Sequence, residues 1–323
     1  MPAKSYQNRH TDQQKSQQGQ GIPNFTEDQA REYIEHMMWP QGPFCRHCGS
    51  VNVYRMEGKS FRPGLLRCRD CDNQFTVTVG TVMEDSHLPL STWVRAIHLM
   101  STSKKGMSAL QLQRNLGLGS YKTAWHLSHR IRLAMKCEPM QKQLKGEVQA
   151  DETYVGASRR GKYRGDKAPS KRGRGTSKQP VVVLVETNGK SHAFPVQSVD
   201  GATIKAEMEK CVDPSSTIVT DELKIYPKAV ADFADHQTVC HAAEEYVNRG
   251  GFHTNTAESW FALFKRGVHG TFHHISKKHT SRYCNEFSFR WDGRKISDTE
   301  RRDLAVKGAE GKRLFLYQPV GQA

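Results

Sequence analysis

The sequence predicts a chain in three parts: a cysteine-bearing module, a helical module, and an α/β domain built on a mixed sheet. Three observations predict it. Two Cys-x-x-Cys pairs lie near the start, helical periodicity dominates residues 86 to 136, and from residue 146 strand-like runs alternate with helix-like ones. At 323 residues there is room for two or three domains and a sizeable core.

Residues 1 to 24 read as a disordered polar arm without the apolar stretch of a signal peptide. The first module spans residues 25 to 83. In "NFTEDQAREYIEHMMW", Thr26 and Gln29 form a capping box, and Phe25, Ala30, Tyr33, Ile34 and Met37 make an apolar stripe, so a helix is expected. Cys45 and Cys48, then Cys68 and Cys71, follow with nineteen residues between the pairs. Each Cys-x-x-Cys closes a knuckle, and two knuckles supply four thiolates for one structural, tetrahedral Zn²⁺. A redox role is the rival reading, but it does not explain two pairs.

Residues 84 to 140 form the second module. "SALQLQRNLGLGSYKTAWHLSHRIRLAM" reads as a helix opened by Ser108 and Gln111, a turn at Gly117-Leu118-Gly119, and a second helix from Ser120. Ala124, Leu127, Ile131 and Met135 make the buried stripe of the second helix. Lys122, His126, His129 and Arg130 are assigned to other faces, and Lys122 and Arg130 are expected to be exposed and to contact DNA. This is the layout of a helix-turn-helix; two core helices of any small bundle give the same periodicity.

The third part, residues 141 to 300, carries strand candidates at 147–155, 181–187, 191–198, 216–221 and 236–242. A helix candidate, "ATIKAEMEKCV", separates the third and fourth strands, and "TNTAESWFALFKRGV" returns to helical periodicity. A mixed sheet of about five strands with flanking helices is the natural solution. Between the first two strands, residues 157 to 179 hold nine Lys or Arg against one Asp. Such a stretch forms no core. It is either a solvated linker or a phosphate-binding loop, and Arg159, Arg160, Lys171, Arg172 and Arg174 are its candidate DNA contacts. Residues 301 to 323 are read as a tail.

Lys and Arg outnumber Asp and Glu by 48 to 33, a formal charge of +15, which points to a polyanionic partner. A membrane partner is disfavoured, because the longest clean apolar run, "VVVLV", is far too short to span a bilayer. Without an export signal the chain is expected in the reducing cytoplasm, on nucleoid DNA. Cys137, Cys211, Cys240 and Cys284 lack ligand spacing and read as buried thiols. His253, His269, His273 and His274 either touch DNA or pack.

The stretch "GEVQADETYVG" sets Asp151 beside Glu152 in a strand. Side chains alternate across a strand, so Asp151 shares the polar face of Gln149 and Thr153, and Glu152 faces away with Val148 and Ala150. Asp221 ends the strand "STIVTD", at the carboxyl edge where α/β sheets place ligands. Glu258 lies on a later helix, with Asn255 one turn before it and Lys265 two turns after, all on one face. Three acids from two strands and a helix can hold two divalent cations for phosphodiester cleavage. Each acid also has an ordinary reading as a turn cap or surface ion pair.

In chain order, "FCRHCGS", "RCRDCDNQFTVTVGTVM", "LPLSTWVRAIHLM", "KKGMSALQLQRNLGL", "YKTAWHLSHRIRLAM", "ADETYVGA", "TDELKIY" and "HTNTAESWFALFKRGVHGTFHHISKKHTSRYCNEFSFRW" resemble bacterial insertion-sequence transposases with an N-terminal zinc ribbon ahead of a DDE-type catalytic domain. The resemblance implies an α/β, RNase H-like mixed-sheet catalytic domain preceded by a zinc ribbon and a helix-turn-helix. It implies Asp151, Asp221 and Glu258 as ligands of two Mg²⁺ (or Mn²⁺) ions, with Asn255 the alternative third ligand, and Lys265 as a basic residue contacting the transposon end. The implied activity is binding of terminal inverted repeats, metal-dependent cleavage and strand transfer into target DNA by a homodimer or larger assembly. A catalytically inactive, sequence-specific DNA-binding regulator descended from such a transposase is the alternative.

Overall fold

The computed structural model describes residues 21–136, 143–156, 178–222, 225–239, 247–248 and 250–315. The arm and the basic stretch at 157–177, with Arg159, Arg160, Lys171, Arg172 and Arg174, lie outside the described residues, as do Cys137 and Cys240.

Helix α1 (Glu27–Met38) starts at the expected capping box of Thr26 and Gln29 and buries Ala30, Ile34 and Met38. Three short antiparallel strands follow, β1 (Val53–Arg55), β2 (Leu66–Cys68) and β3 (Gln74–Phe75), with β2 in the middle. Helix α2 (Leu90–Thr102) has no side-chain cap from its own N-cap residue, Pro89. Instead the Glu27 carboxylate of α1 accepts from the amides of Leu90 and Ser91 at 2.8 and 3.1 Å, which answers the helix's unpaired donors and ties the two helices together.

Helix α3 (Ala109–Leu116) ends on Gly117 in the left-handed conformation (φ +65°), a geometry glycine adopts without a Cβ penalty. Helix α4 (Tyr121–Ala134) opens on Ser120, whose hydroxyl accepts from the Lys122 amide. Ala124, Leu127, Ile131 and Met135 are buried as expected. Most of the apolar side chains of α1 to α4 join Leu66, Phe75 and Trp93 in one core.

The second unit is a five-stranded mixed sheet. Its strands are β4 (Glu147–Val155), β5 (Gln179–Glu186), β6 (Ser191–Pro195), β7 (Thr217–Asp221) and β8 (Asp235–Val239), in the order β6-β5-β4-β7-β8. The β4–β5 and β5–β6 pairs are antiparallel; β4–β7 and β7–β8 are parallel. Helix α5 (Gly201–Cys211) crosses from β6 to β7, and α6 (Tyr226–Ala229) sits between β7 and β8. The run "VVVLV" on β5 is buried on both faces. Val182 and Leu184 meet Ile204 and Met208 of α5 on one side. On the other, Val181, Val183 and Val185 meet Ala257, Trp260 and Phe264 of α7 (Asn255–Gly267) and Phe287 of α8 (Thr280–Asp292).

A buried ionic cluster joins the units. Glu286 of α8, wholly buried, pairs with Arg132 of α4 and with Arg290, and Arg290 donates to the carbonyls of Met100 and Ser103 at the end of α2. Burial alone pushes the Glu286 carboxyl up, but the two guanidiniums hold it below its ordinary range, so the group stays ionised.

Two expectations are corrected here. Arg130 is not exposed: it is 7% accessible, its guanidinium donates to the Glu84 carbonyl, and it lies over the Trp93 ring at 5.3 Å. Periodicity assigned it to an outer face, but α4 is covered on several sides, and His129 is buried as well. The second correction concerns the tail. Residues Asp298–Lys307 form α9, which starts at a capping box of Ser297 and Glu300 and returns to the first unit. Ala305, Val306 and Ala309 enter the core of α1 to α4, and Glu310 bridges to Thr81.

Candidate active site

The site is built on the middle strand. Along the parallel pair, Glu147, Val148 and Gln149 of β4 stand beside Thr217, Ile218 and Val219 of β7. Extending that register by two residues sets Asp151 beside Asp221, on the same face of adjacent strands. Glu152 points to the opposite face, as parity predicted, where its carboxylate accepts from the Tyr226 hydroxyl at 3.0 Å.

The face carrying Asp151 is the one α7 packs against. Gln149, fully buried, accepts from the amides of Thr256 and Ala257 at 2.9 and 3.1 Å, the first turn of α7. Its Nε2 reaches Thr187 Oγ1 and His253 Nδ1, each at 3.1 Å. Ala257 and Trp260 face the sheet, while Asn255 and Glu258 are exposed on the open side of the same turn. Lys265 is also exposed, with its ammonium 5.7 Å from the Phe261 ring centroid.

Electrostatics tie the acids together. The Asp151 carboxyl is pushed up to about 7, first by burial and further by the negative charges of Glu152, Asp221 and Glu258; the Glu152 amide, donating to Asp151 Oδ1 at 2.7 Å, opposes the rise. Two strands and a helix thus carry anionic oxygen, the donor chemistry that hard divalent cations take, and in donor type the residues fit such ions.

The cysteines assemble tightly. Cys45, Cys48, Cys68 and Cys71 place their sulfurs within 4.8 Å of one another, with Cys45–Cys71 and Cys48–Cys68 each at 3.6 Å. A tetrahedron with zinc–sulfur bonds of about 2.3 Å has sulfur–sulfur edges of about 3.8 Å, so the four fit a zinc ion. The backbone amide of Asn73, and then its side chain, hold the Cys71 thiol down to about 6. The left-handed Gly49 (φ +78°) and Asp72 (φ +60°) turn the chain back at the two knuckles.

Residues 143–292 match the ISXO2-like transposase domain, and residues 25–74 match the transposase zinc-ribbon domain. An uncharacterized protein in transposable element ISH50 of Halobacterium salinarum is 30% identical over 274 residues, spanning 82% of this chain and 90% of that protein. The chain belongs to the insertion-sequence transposase family. In this transposase the zinc ribbon and the mixed α/β fold stand as expected, and no helix among the described residues is long and apolar enough to cross a membrane.

Sequence reasoning missed three features of the transposase surface and site. Gln149 was read only as part of the polar face of β4; a buried amide two positions from an acid was the available signal. Only the first turn of α4 is well exposed, at Tyr121, Lys122 and Thr123. Beyond it, Trp125 and His129 pack at 4.3 Å, and His129 packs on His279 at 4.7 Å. Burial, followed by the charges of Arg132 and Arg282, pushes the His129 imidazole down to about 2, so this ring is neutral. His279 closes a short turn, Lys277–His279, whose exposed Lys277 and Lys278 flank α4.

Proposed function

We propose that this chain is an active DDE-type transposase with an RNase H-like catalytic domain, and that Asp151, Asp221 and Glu258 hold two Mg²⁺ or Mn²⁺ ions. The observation that carries the reading is the register that sets Asp151 beside Asp221 on one face of adjacent strands, the face on which the first turn of α7, bearing Glu258, is docked. The strand order, antiparallel through β6-β5-β4 and parallel through β4-β7-β8, supports the RNase H-like assignment. When bound, the ions supply the polarisation of water and phosphate needed for in-line phosphodiester cleavage.

The residues act around that centre. Asp151 and Asp221 fix the position of attack from the rigid sheet. Glu258 closes the anionic set from the first turn of α7, with Asn255 the alternative. Lys265, two turns on, contacts a phosphate of the transposon end. α3 and α4 work as a helix-turn-helix that reads the terminal repeat through the exposed first turn of α4, with Lys122 at its centre. Lys277 and Lys278 continue this basic surface toward the catalytic unit, and the stretch at 157–179 adds phosphate contacts without reading sequence. Holding two transposon ends together calls for a homodimer or larger assembly.

The test is to incubate the protein with the DNA flanking its own gene in Mg²⁺ and map the cleaved strand. Cleavage at the repeat ends with joining to a plasmid is expected. Sequence-specific binding without cutting makes the chain a regulator instead; cutting without joining makes it a nuclease.

A further inference from the structure

We propose that Gln149 is a positioning residue of the acidic cleft, docking the amino end of α7 on β4 and thereby setting where Glu258 stands relative to Asp151. This inference rests on the reading of Asp151, Asp221 and Glu258 as the residues that hold divalent metal.

The first turn of an α-helix leaves amide donors without partners inside the helix. In α7 the N-cap residue, Thr254, provides no side-chain cap, and the turn lies against the sheet. Gln149 supplies the acceptor from another element: one oxygen takes the amides of both Thr256 and Ala257. The amide nitrogen is anchored in turn by Thr187 and His253, so the side chain is held at both ends in a fully buried position. Glu258 follows Ala257 directly, and Asp151 lies two residues from Gln149 on the same face of β4. The bond therefore links the strand that carries Asp151 to the helix turn that carries Glu258.

The chemistry of the side chain fits this role. Acids gathered in one cleft repel one another, so the helix bearing Glu258 is pushed away until cations arrive. A neutral amide resists that push without adding a further negative charge. An apolar side chain of similar size fills the space but leaves two amides unanswered. A carboxylate answers them and adds charge.

The experiment measures Mn²⁺ binding to the full-length, zinc-loaded protein without DNA, following unbound Mn²⁺ by electron paramagnetic resonance. Wild type, Gln149→Met, Gln149→Glu and Asp151→Asn are compared. Gln149→Met is expected to bind Mn²⁺ about tenfold more weakly, the size typical of lost support around metal ligands. Gln149→Glu, which keeps the acceptor but adds charge and loses the Nε2 donor, is expected to bind more tightly than Gln149→Met. Wild-type affinity in Gln149→Met overturns the proposal, and so does a Gln149→Glu variant as weak as Gln149→Met. If wild type and Asp151→Asn bind alike, the metal reading itself fails, a different outcome from either. Should Gln149→Met not fold by circular dichroism, Gln149→Asn withdraws the amide by one methylene and is expected to bind more weakly than wild type; unchanged affinity there overturns the proposal equally.

Discussion

In the ribbon, four thiol sulfurs lie within 4.8 Å of one another, whereas the three acids stand on two strands and a helix, and Asp221 and Glu258 act on Asp151 through their charge. The difference follows from the ligands. The sulfurs are brought to tetrahedral spacing by tight backbone turns at the two knuckles, where a bound zinc would offset thiolate charge. Carboxylates at neutral pH repel, and a fold that gathers them must hold them on separate rigid elements. The first arrangement suits an ion that is part of the fold, the second an open site that exchanges ions and substrate. The comparison separates the two kinds of metal dependence that this transposase is expected to show.

The largest expected effect lies in the cleft. If the three acids hold the cations as proposed, Asp151→Asn, Asp221→Asn and Glu258→Gln should each abolish end cleavage while specific end binding survives, because each removes one negative charge. Asn255→Ala should be milder, since it removes a neutral group. Cleavage by folded Glu258→Gln together with its loss in Asn255→Ala makes Asn255 the third ligand. In the ribbon, Cys45→Ser or Cys68→Ser should unfold the first module and release zinc, because metal binding and folding are coupled there. Retained zinc and full end binding in Cys45→Ser would count against the ribbon as a structural metal site.

A smaller effect concerns pH. The Asp151 carboxyl is raised from 3.8 to about 7, so the folded, metal-depleted cleft holds a proton that the unfolded chain has lost. The sign follows: this contribution to stability is full below about pH 4 and declines as pH rises to about 7, by about 1.4 kcal/mol per pH unit at most. Asp151→Asn should flatten that decline in chemical denaturation at pH 5 and pH 8 without added Mg²⁺. An equal slope in both proteins means that Asp151 is not buried as described. Last, Lys122→Ala should cost roughly 1–3 kcal/mol in binding to the terminal repeat if it reads a base, and should weaken all sequences alike if it contacts phosphate. A binding titration against repeat and scrambled duplexes distinguishes these, and unchanged affinity for both removes Lys122 from the interface.

Much of this was legible in the chain because the signals were local. The cysteine spacing gave the sulfur cluster, strand alternation put Asp151 and Glu152 on opposite faces, and Thr26 with Gln29 marked the start of α1. The misreadings share a cause. Arg130 lies off the apolar stripe of its own helix, so periodicity made it a surface residue; its partners, Glu84 and Trp93, come from distant segments. Gln149, read only as part of a polar strand face, likewise owes its burial to α7, an element far away in sequence. α9 carries a legible capping box, but its few small apolar residues gave no hint that it returns to the first core.

That return has a consequence for how the protein is made. The core of the first unit closes only when Ala305, Val306 and Ala309 arrive, after the whole catalytic sheet has been synthesised. At about 5–20 residues per second, the stretch between α4 and α9 takes roughly ten to thirty seconds to emerge, and throughout that time the ribbon and its helices lack their final wall. A chain broken off before Asp298 never receives it. Truncated products that hold the first unit without the catalytic-domain sheet are therefore expected to be short-lived, so the first unit is completed only in chains that already carry the second.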